Sequence, residues 1–101
     1  MDKVQVNIVN LVEDTALSMV ELAEVKGLEI IVDTEIEELF INCDKLDIER
    51  CIINLIGNAI KFTEAGRTIT ITISELDKNV KISVVSEKGK GSEFIIILPI
   101  Q

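Results

Sequence analysis

One stretch of the chain separates apolar and polar side chains when it is drawn as an α-helix. In residues 47–63 (DIERCIINLIGNAIKFT), Asn54, Asn58 and Lys61 stand at i, i+4 and i+7. At about 100° per residue, these three side chains fall within about 60° of one another. The adjacent stripe is apolar and comprises Ile48, Ile52, Leu55, Ala59 and Phe62. A chain that contains such a helix must cover the apolar stripe with another layer of structure.

Asn58 lies closest to the border between the two stripes, so we expect it at the edge of the buried surface. An amide in that position, beside Lys61, costs free energy unless a polar group lies in front of it. A metal ion, a phosphate or a neighbouring backbone segment would each meet this need. The ordinary explanation of such a pattern is local: both Asn side chains bond to nearby backbone and Lys61 is solvated.

Composition restricts the fold and the partners. With 101 residues the chain predicts one domain, and the core must be aliphatic because only three residues are aromatic. A net charge of −8 argues against nucleic acid and against an anionic membrane surface as partners. Because the sequence contains no histidine, it offers no imidazole metal ligand, no catalytic triad and no phospho-accepting histidine.

The cysteines and the hydropathy pattern bear on location. Cys43 and Cys51 form no CxxC pair, so we expect two buried, reduced thiols and a cytoplasmic location. We find no signal peptide, and no apolar run approaches the roughly 18 residues that span a bilayer. We therefore expect no membrane contact by this segment, whether or not a parent protein is anchored in a membrane.

Periodicity and turn residues predict two long helices and six strands. The strands are expected at residues 4–8, 28–33, 39–43, 68–74, 80–85 and 94–100. The first helix begins after Asn7 or Asn10 and runs to about Lys26, with Gly27 at the C′ position. The second helix is capped by Asp44 and runs to about residue 62. Residues 77–79 and 89–92 predict hairpin turns.

These elements predict an α+β fold, a two-layer α/β sandwich. The two helices would pack on one face of a mixed sheet of about five to six strands, and the last three strands would form a meander. The last strand is apolar on both faces, because Phe94, Ile96 and Leu98 alternate with Ile95 and Ile97. Such a strand needs a cover, and self-association to a homo-oligomer is the simplest one.

Two segments carry a resemblance to a known family. NLIGNAIKFT resembles the N-box of the catalytic, ATP-binding domain of sensor histidine kinases, which have the histidine-kinase/gyrase type of ATPase fold. SEKGKGSEFIIILPI resembles the terminal hairpin of the same domain. The resemblance implies that Asn58 holds the Mg²⁺ ion that tethers ATP, and that Asn54 and Lys61 contact nucleotide phosphates. It assigns no catalytic residue to this chain.

The resemblance also identifies an absence. In the family, the strand that corresponds to KISV is followed by an Asp-x-Gly motif for adenine, a flexible lid, and a Gly-x-Gly-Leu-Gly loop leading to a third helix. Here Val84 continues into Val85 and Ser86, and neither motif occurs. We therefore interpret residues 1–101 as a truncated domain that lacks a contiguous block, through natural deletion or excision. Few contacts remain to offset the lost freedom of a bound nucleotide.

Two functions of different classes follow. The first is the ATP-binding domain of a two-component sensor histidine kinase, whose parent transfers a phosphoryl group from ATP to a histidine on a separate dimerisation domain and then signals to a response regulator. This chain alone would be inactive. The second is a non-catalytic sandwich module that no longer binds nucleotide and serves dimerisation or protein docking. A gyrase-type or chaperone-type ATPase is disfavoured, because those usually carry Glu where Asn54 stands.

Overall fold

In the part of the chain that the structure describes, six strands and three helices form a two-layer α+β sandwich, which confirms the predicted fold class. The computed structural model describes residues 3–86 and 93–100. The elements in chain order are β1 Val4–Asn7, α1 Ile8–Ser18, α2 Val20–Val25, β2 Glu29–Val32, β3 Phe40–Cys43, α3 Lys45–Phe62, β4 Thr68–Leu76, β5 Asn79–Ser86 and β6 Glu93–Pro99. Among the described residues, no helix is long and apolar enough to cross a membrane. The turn predicted at residues 89–92 lies outside the described residues.

Hydrogen bonding divides the strands into two groups. The main sheet is mixed and has the order β2-β4-β5-β6. In it, β2 runs parallel to β4, and β4, β5 and β6 form the predicted antiparallel meander. The other two strands, β1 and β3, pair antiparallel with each other as a separate ribbon. The mixed sheet therefore contains four of the strands that the sequence predicted for it, and β1 and β3 lie outside it.

The core is aliphatic and lies between the main sheet and the helices. Alternation in β4 and in the first half of β5 sends every second side chain inward. The inward residues of these strands are Ile69, Ile71, Ile73, Val80, Ile82 and Val84, each at most 3% exposed. The helices contribute Val9, Val12, Ala16, Ile52, Ile56, Ala59 and Ile60 to the same cluster. This burial is what holds the two layers together.

The first predicted helix is divided at Met19 into α1 and α2. The Met19 amide bonds to the carbonyl of Ala16, three residues back, at 3.0 Å, and its φ of −106° and ψ of 3° end the helical run. Two hydroxyls compete for carbonyls in the turn before the break. Thr15 Oγ1 donates to the Leu11 carbonyl and Ser18 Oγ donates to the Thr15 carbonyl, both at 2.7 Å. The break leaves the Met19 side chain buried.

Both ends of α3 are fixed by side chains. At the N-terminus, Asp44 Oδ1 accepts a hydrogen bond from the Asp47 amide at 3.3 Å, as the sequence predicts. At the C-terminus, the Lys26 ammonium donates to the carbonyls of Ile60 and Lys61 at 2.7 and 2.8 Å. Lys26 therefore satisfies two carbonyls that the helix itself leaves without partners, from a position far away in the sequence.

The loops at the C-terminal end of α3 are joined as well. The Gly66 amide donates to the Gly27 carbonyl at 2.8 Å, and Thr63 Oγ1 donates to the Ala59 carbonyl at 2.5 Å. Gly27 has a φ of +80°, the left-handed conformation predicted for the residue after α2 and its cap. The Gly66–Gly27 bond connects the turn after α2 to the turn after α3, so that the two helices end close together.

The two cysteines have different environments. Cys43 is buried at the end of β3, as predicted, whereas Cys51 is exposed on α3, so the expectation of two buried thiols was wrong for Cys51. The prediction failed because apolar neighbours in the sequence do not reveal which side of α3 is covered. Burial raises the pKa of the Cys43 thiol, and the adjacent Asp44 carboxylate raises it further.

Replacing Ile52 by Ala should lower the free energy of unfolding by about 2–5 kcal/mol, because this side chain is fully buried. Its neighbour Ile53 is 42% exposed, so Ile53→Ala should cost less than about 1 kcal/mol. Equilibrium unfolding in urea measures both variants. Equal losses would contradict the orientation of α3.

Replacing Lys26 by Met keeps the aliphatic stem but removes the ammonium, and should lower the free energy of unfolding by about 1–2 kcal/mol. Lys78→Met, at an exposed position between β4 and β5, is the matched control and should change stability by less than about 0.5 kcal/mol. Thermal unfolding followed by circular dichroism compares them. If both variants melt alike, the Lys26 cap contributes nothing to stability.

Cys51 should react with a disulfide reagent at neutral pH, and Cys43 should react only once the protein unfolds. Because folding raises the Cys43 pKa, its contribution to stability is complete below the ordinary thiol pKa and is lost as pH rises through the folded-state value. Stability should therefore fall at alkaline pH, and less steeply in Cys43→Ala. Thiol titration and urea unfolding across alkaline pH test this, and equal slopes would contradict it.

Candidate functional site

The structure places the three predicted site residues on one exposed stripe of α3. Asn54, Asn58 and Lys61 are all solvent-facing. Residues three and four apart on a helix have Cβ atoms about 5–6 Å apart, so a single ligand can contact all three side chains. The buried residues of α3 occupy the opposite side of the helix. The stripe therefore forms an exposed polar surface, whose position is fixed by the packing of the buried side of α3.

Two expectations about the borders of this stripe were wrong. Asn58 is exposed and does not lie at the edge of the buried surface, and Phe62, assigned to the apolar stripe, is 64% exposed. The buried arc of α3 is rotated by roughly 60° from the expected one, toward Ile56 and Ile60. The reason is that α1 packs on that flank of α3, where the Met19 side chain lies beside Gly57.

The exposure of Asn58 changes the argument for a ligand. A solvated amide carries no desolvation penalty, so it does not demand a polar occupant. The remaining argument for a ligand is that the side chains are accessible to it. Because the side chains of Asn54, Asn58 and Lys61 are exposed, their amide oxygens and ammonium can reach a ligand without disturbing the core.

Phe62 is a feature of the site that sequence reasoning missed. The Lys61 ammonium lies 5.4 Å from the centroid of the Phe62 ring, a cation–π distance. The ring therefore presents a planar apolar surface next to the positive charge. Helical spacing suggested a core position, and only the adjacency of an aromatic residue to the stripe could have indicated otherwise.

The electrostatics of this end of α3 suit an anion better than an ordinary helix C-terminus does. Exposed carbonyls make such an end electronegative, which repels anions. Here the Lys26 ammonium binds the carbonyls of Ile60 and Lys61, and the Lys61 side chain adds a second positive charge nearby. The stripe thus ends in two cations and not in bare carbonyls.

The last residues of β5, Val84, Val85 and Ser86, include no carboxylate that could accept a hydrogen bond from a nucleotide base. The strand continues past Val84, and Val85 pairs with Glu93 in the β5–β6 ladder. Ser83 Oγ donates to Glu93 Oε2 at 2.5 Å, so both side chains are already bonded to each other. Where the family resemblance places an Asp-x-Gly motif, this chain has a regular strand pair.

No other pocket or side-chain cluster in the described residues adjoins the stripe of Asn54, Asn58 and Lys61. A depression of about 520 Å³ lies between β1, α1 and the first turns of α3, lined by polar residues that include Asn10, Asp14 and Glu49. It is at the opposite end of α3 from Lys61. Within residues 3–86 and 93–100, no cluster of three or more Asp, Glu, Cys or His side chains could hold a metal ion.

The curated proteins whose sequences resemble this chain include sensor kinases. The chain is 33% identical over 90 residues to the sensor protein KdpD of Clostridium acetobutylicum, a match to 87% of this chain and 10% of KdpD. It is 26% identical over 89 residues to hybrid signal transduction histidine kinase E of Dictyostelium discoideum, a match to 86% of this chain and 5% of that protein. The chain therefore spans a small part of these relatives.

Solved structures share the fold. A nucleotide-free form of the catalytic domain of histidine kinase ThkA superposes with a TM-score of 0.90 at 18% identity, covering 99% of this chain and 97% of that chain. Full-length ShkA in complex with AMPPNP gives 0.76 at 31% identity, over 84% and 18% of the two chains. ThkA in complex with the response regulator protein TrrA gives 0.77 at 24% identity, over 86% and 26%.

The family model "Histidine kinase-, DNA gyrase B-, and HSP90-like ATPase" matches residues 43–93, about half of the chain, which include α3, β4 and β5. This region holds the polar stripe. Fold, sequence relatives and family model agree, and the chain belongs to the family of histidine kinase-, DNA gyrase B- and HSP90-like ATPases.

Proposed function

We propose that this chain is a shortened ATP-binding catalytic domain of a two-component sensor histidine kinase. The observation that carries the proposal is the exposed stripe of Asn54, Asn58 and Lys61 on a helix that is fixed at both ends. The relatives support it, because the sequence matches are sensor kinases and a structural relative at 31% identity was solved with AMPPNP. The non-catalytic alternative has no such support.

Each residue of the stripe has a role that its chemistry suits. Asn58 supplies a neutral amide oxygen, a fitting single protein ligand for Mg²⁺, which accepts phosphate oxygens and water at its other positions. Bound there, Mg²⁺ would neutralise phosphate charge. Asn54, one turn earlier, donates to a phosphate or orients a water, and Lys61, one turn later, adds a mobile positive charge. The exposed Phe62 ring offers a face for stacking a planar base.

In the parent protein, the stripe would promote the reaction by positioning the nucleotide phosphates. Phosphoryl transfer requires alignment of the phosphate with its acceptor and neutralisation of charge, and the stripe contributes to both. The acceptor histidine must come from elsewhere, because this sequence contains none. We propose a histidine-bearing dimerisation domain as that partner and a response regulator as the next one, by analogy with the ThkA–TrrA complex. The free cysteines fit a cytoplasmic location.

The shortened domain should bind nucleotide weakly. We propose that a contiguous block is absent between β5 and β6, and with it the adenine motif, the lid and a third helix. A few contacts of about 1–3 kcal/mol each must then offset the lost freedom of the ligand. A dissociation constant of about 0.1–1 mM follows for Mg²⁺–AMPPNP.

A titration of Mg²⁺–AMPPNP followed by NMR shifts of the α3 amides tests the proposal. Asn58→Ala should weaken binding about tenfold, because it removes the metal ligand, and Lys61→Met should weaken it and reduce its dependence on salt. Asn10→Ala is the matched control, since Asn10 is an exposed Asn on α1 outside the stripe.

Two results would contradict the proposal. One is the absence of saturable shifts up to about 5 mM nucleotide, about fivefold above the weakest constant expected. The other is binding that Asn58→Ala and Asn10→Ala leave equally strong, because the ligand would then lie away from the stripe.

A further inference from the structure

Strand β6 is an edge strand without the usual protection. It has β5 on one side, and no other described strand pairs with it. Two outward isoleucines, Ile95 and Ile97, are 43% and 57% exposed. Edge strands normally carry inward charges, lysines or bulges that prevent pairing with another chain. Here Glu93 is the one charged residue of the strand, and the β5–β6 ladder is continuous from Val85 to Asn79.

The backbone of β6 shows which groups are free. The Ile100 amide donates to the Lys78 carbonyl at 2.8 Å, and the register continues with Val80 opposite Leu98. In an antiparallel ladder, alternate residues point their N–H and C=O groups to the same neighbour. The even-numbered residues of β6 therefore bond to β5. The odd-numbered ones, Ile95 and Ile97 among them, point their backbone groups away from the sheet.

We propose that β6 pairs antiparallel with β6 of a second copy of this chain, about a twofold axis at Ile96. Two four-stranded sheets then join edge to edge. Ile95 exchanges both backbone hydrogen bonds with Ile97 of the second copy, and Ile97 does the same with Ile95 of that copy. These are the backbone groups that the monomer leaves pointing outward.

The side chains agree with this register. On the outer face Ile95 lies beside Ile97 of the second copy, which covers the two exposed isoleucines. On the helix face Phe94 meets Leu98 of the second copy, and Ile96 meets its own symmetry mate. Pro99 has no N–H, but it falls opposite Glu93 at the end of the pair, so that each end loses a single bond.

Overall charge opposes self-association, but the β6 edge itself carries little charge. With a net charge of −8, two copies repel one another. Glu93 is bonded to Ser83, and in the antiparallel register the two Glu93 side chains lie at opposite ends of the pair, about 20 Å apart. No like charges therefore meet across the pair, and added salt should strengthen it.

The size of the contact predicts a transient dimer. A strand of seven residues from each copy buries less than the roughly 1,200 Å² of a standard interface. Monomer should predominate at about 10 µM and dimer at about 1 mM. The inference is independent of nucleotide binding, because β6 carries none of the site residues.

Sedimentation or light scattering across that concentration range should show the mass rise from 11.2 kDa toward twice that value. Ile97→Lys should stay monomeric, since it places an unpaired charge at the edge while leaving the core intact. Leu17→Lys, at a 73% exposed position on α1, is the matched control and should dimerise like the parent chain.

Residue-resolved amide exchange tests the register in the unmodified protein. The Ile95 and Ile97 amides should gain protection as concentration rises, whereas those of Ile96 and Leu98, bonded to β5, should be protected at every concentration. A constant mass would overturn the proposal, and so would a dimer in which the Ile95 and Ile97 amides exchange freely, or one that Ile97→Lys and Leu17→Lys weaken equally.

Discussion

The burial of one side of α3 is the interaction on which the rest of the structure depends. This helix packs on β5 and β6 and against α1, and its aliphatic arc completes the single core. Because only one orientation covers that arc, the opposite side, with Asn54, Asn58 and Lys61, has to face solvent. Lys26 then fixes the end of the helix nearest Lys61. The position of the polar stripe is thus a consequence of apolar packing.

Much of the fold could be predicted because its signals are local. Alternation in residues 68–74 predicted β4 and its buried face, and Asp44 and Gly27 marked helix ends correctly. The errors concern packing between distant elements. Whether the first helix breaks at Met19, and which flank of α3 is covered, depends on how α1 meets α3, and helical spacing holds no information about that contact.

The candidate site divides in the same way. Three residues of one helix keep their relative positions whatever the rest of the chain does, so their spacing predicted the stripe. The groups that support the stripe are distant from it in the sequence. Lys26 binds a carbonyl in the last turn of α3 that lies 34 residues away in the sequence. Phe62 illustrates the opposite problem. Its spacing fitted the apolar stripe, but its ring does not pack in the core. The ring lies on the exposed surface beside Lys61.

The proposed loss of a block between β5 and β6 connects the two proposals physically. If β5 leads into β6 through a short segment, the β5–β6 strand pair occupies the place where the second side of a nucleotide site, facing α3, would begin. A nucleotide would then have only the α3 side of the site to contact. The same loss leaves β6 with no described strand at its outer edge, where Ile95 and Ile97 direct their backbone groups outward. A single change in the chain would then weaken ligand binding and create a surface suited to pairing. The core would stay intact, because most of its residues lie on α1, α3, β4 and β5, which all precede the change in the chain.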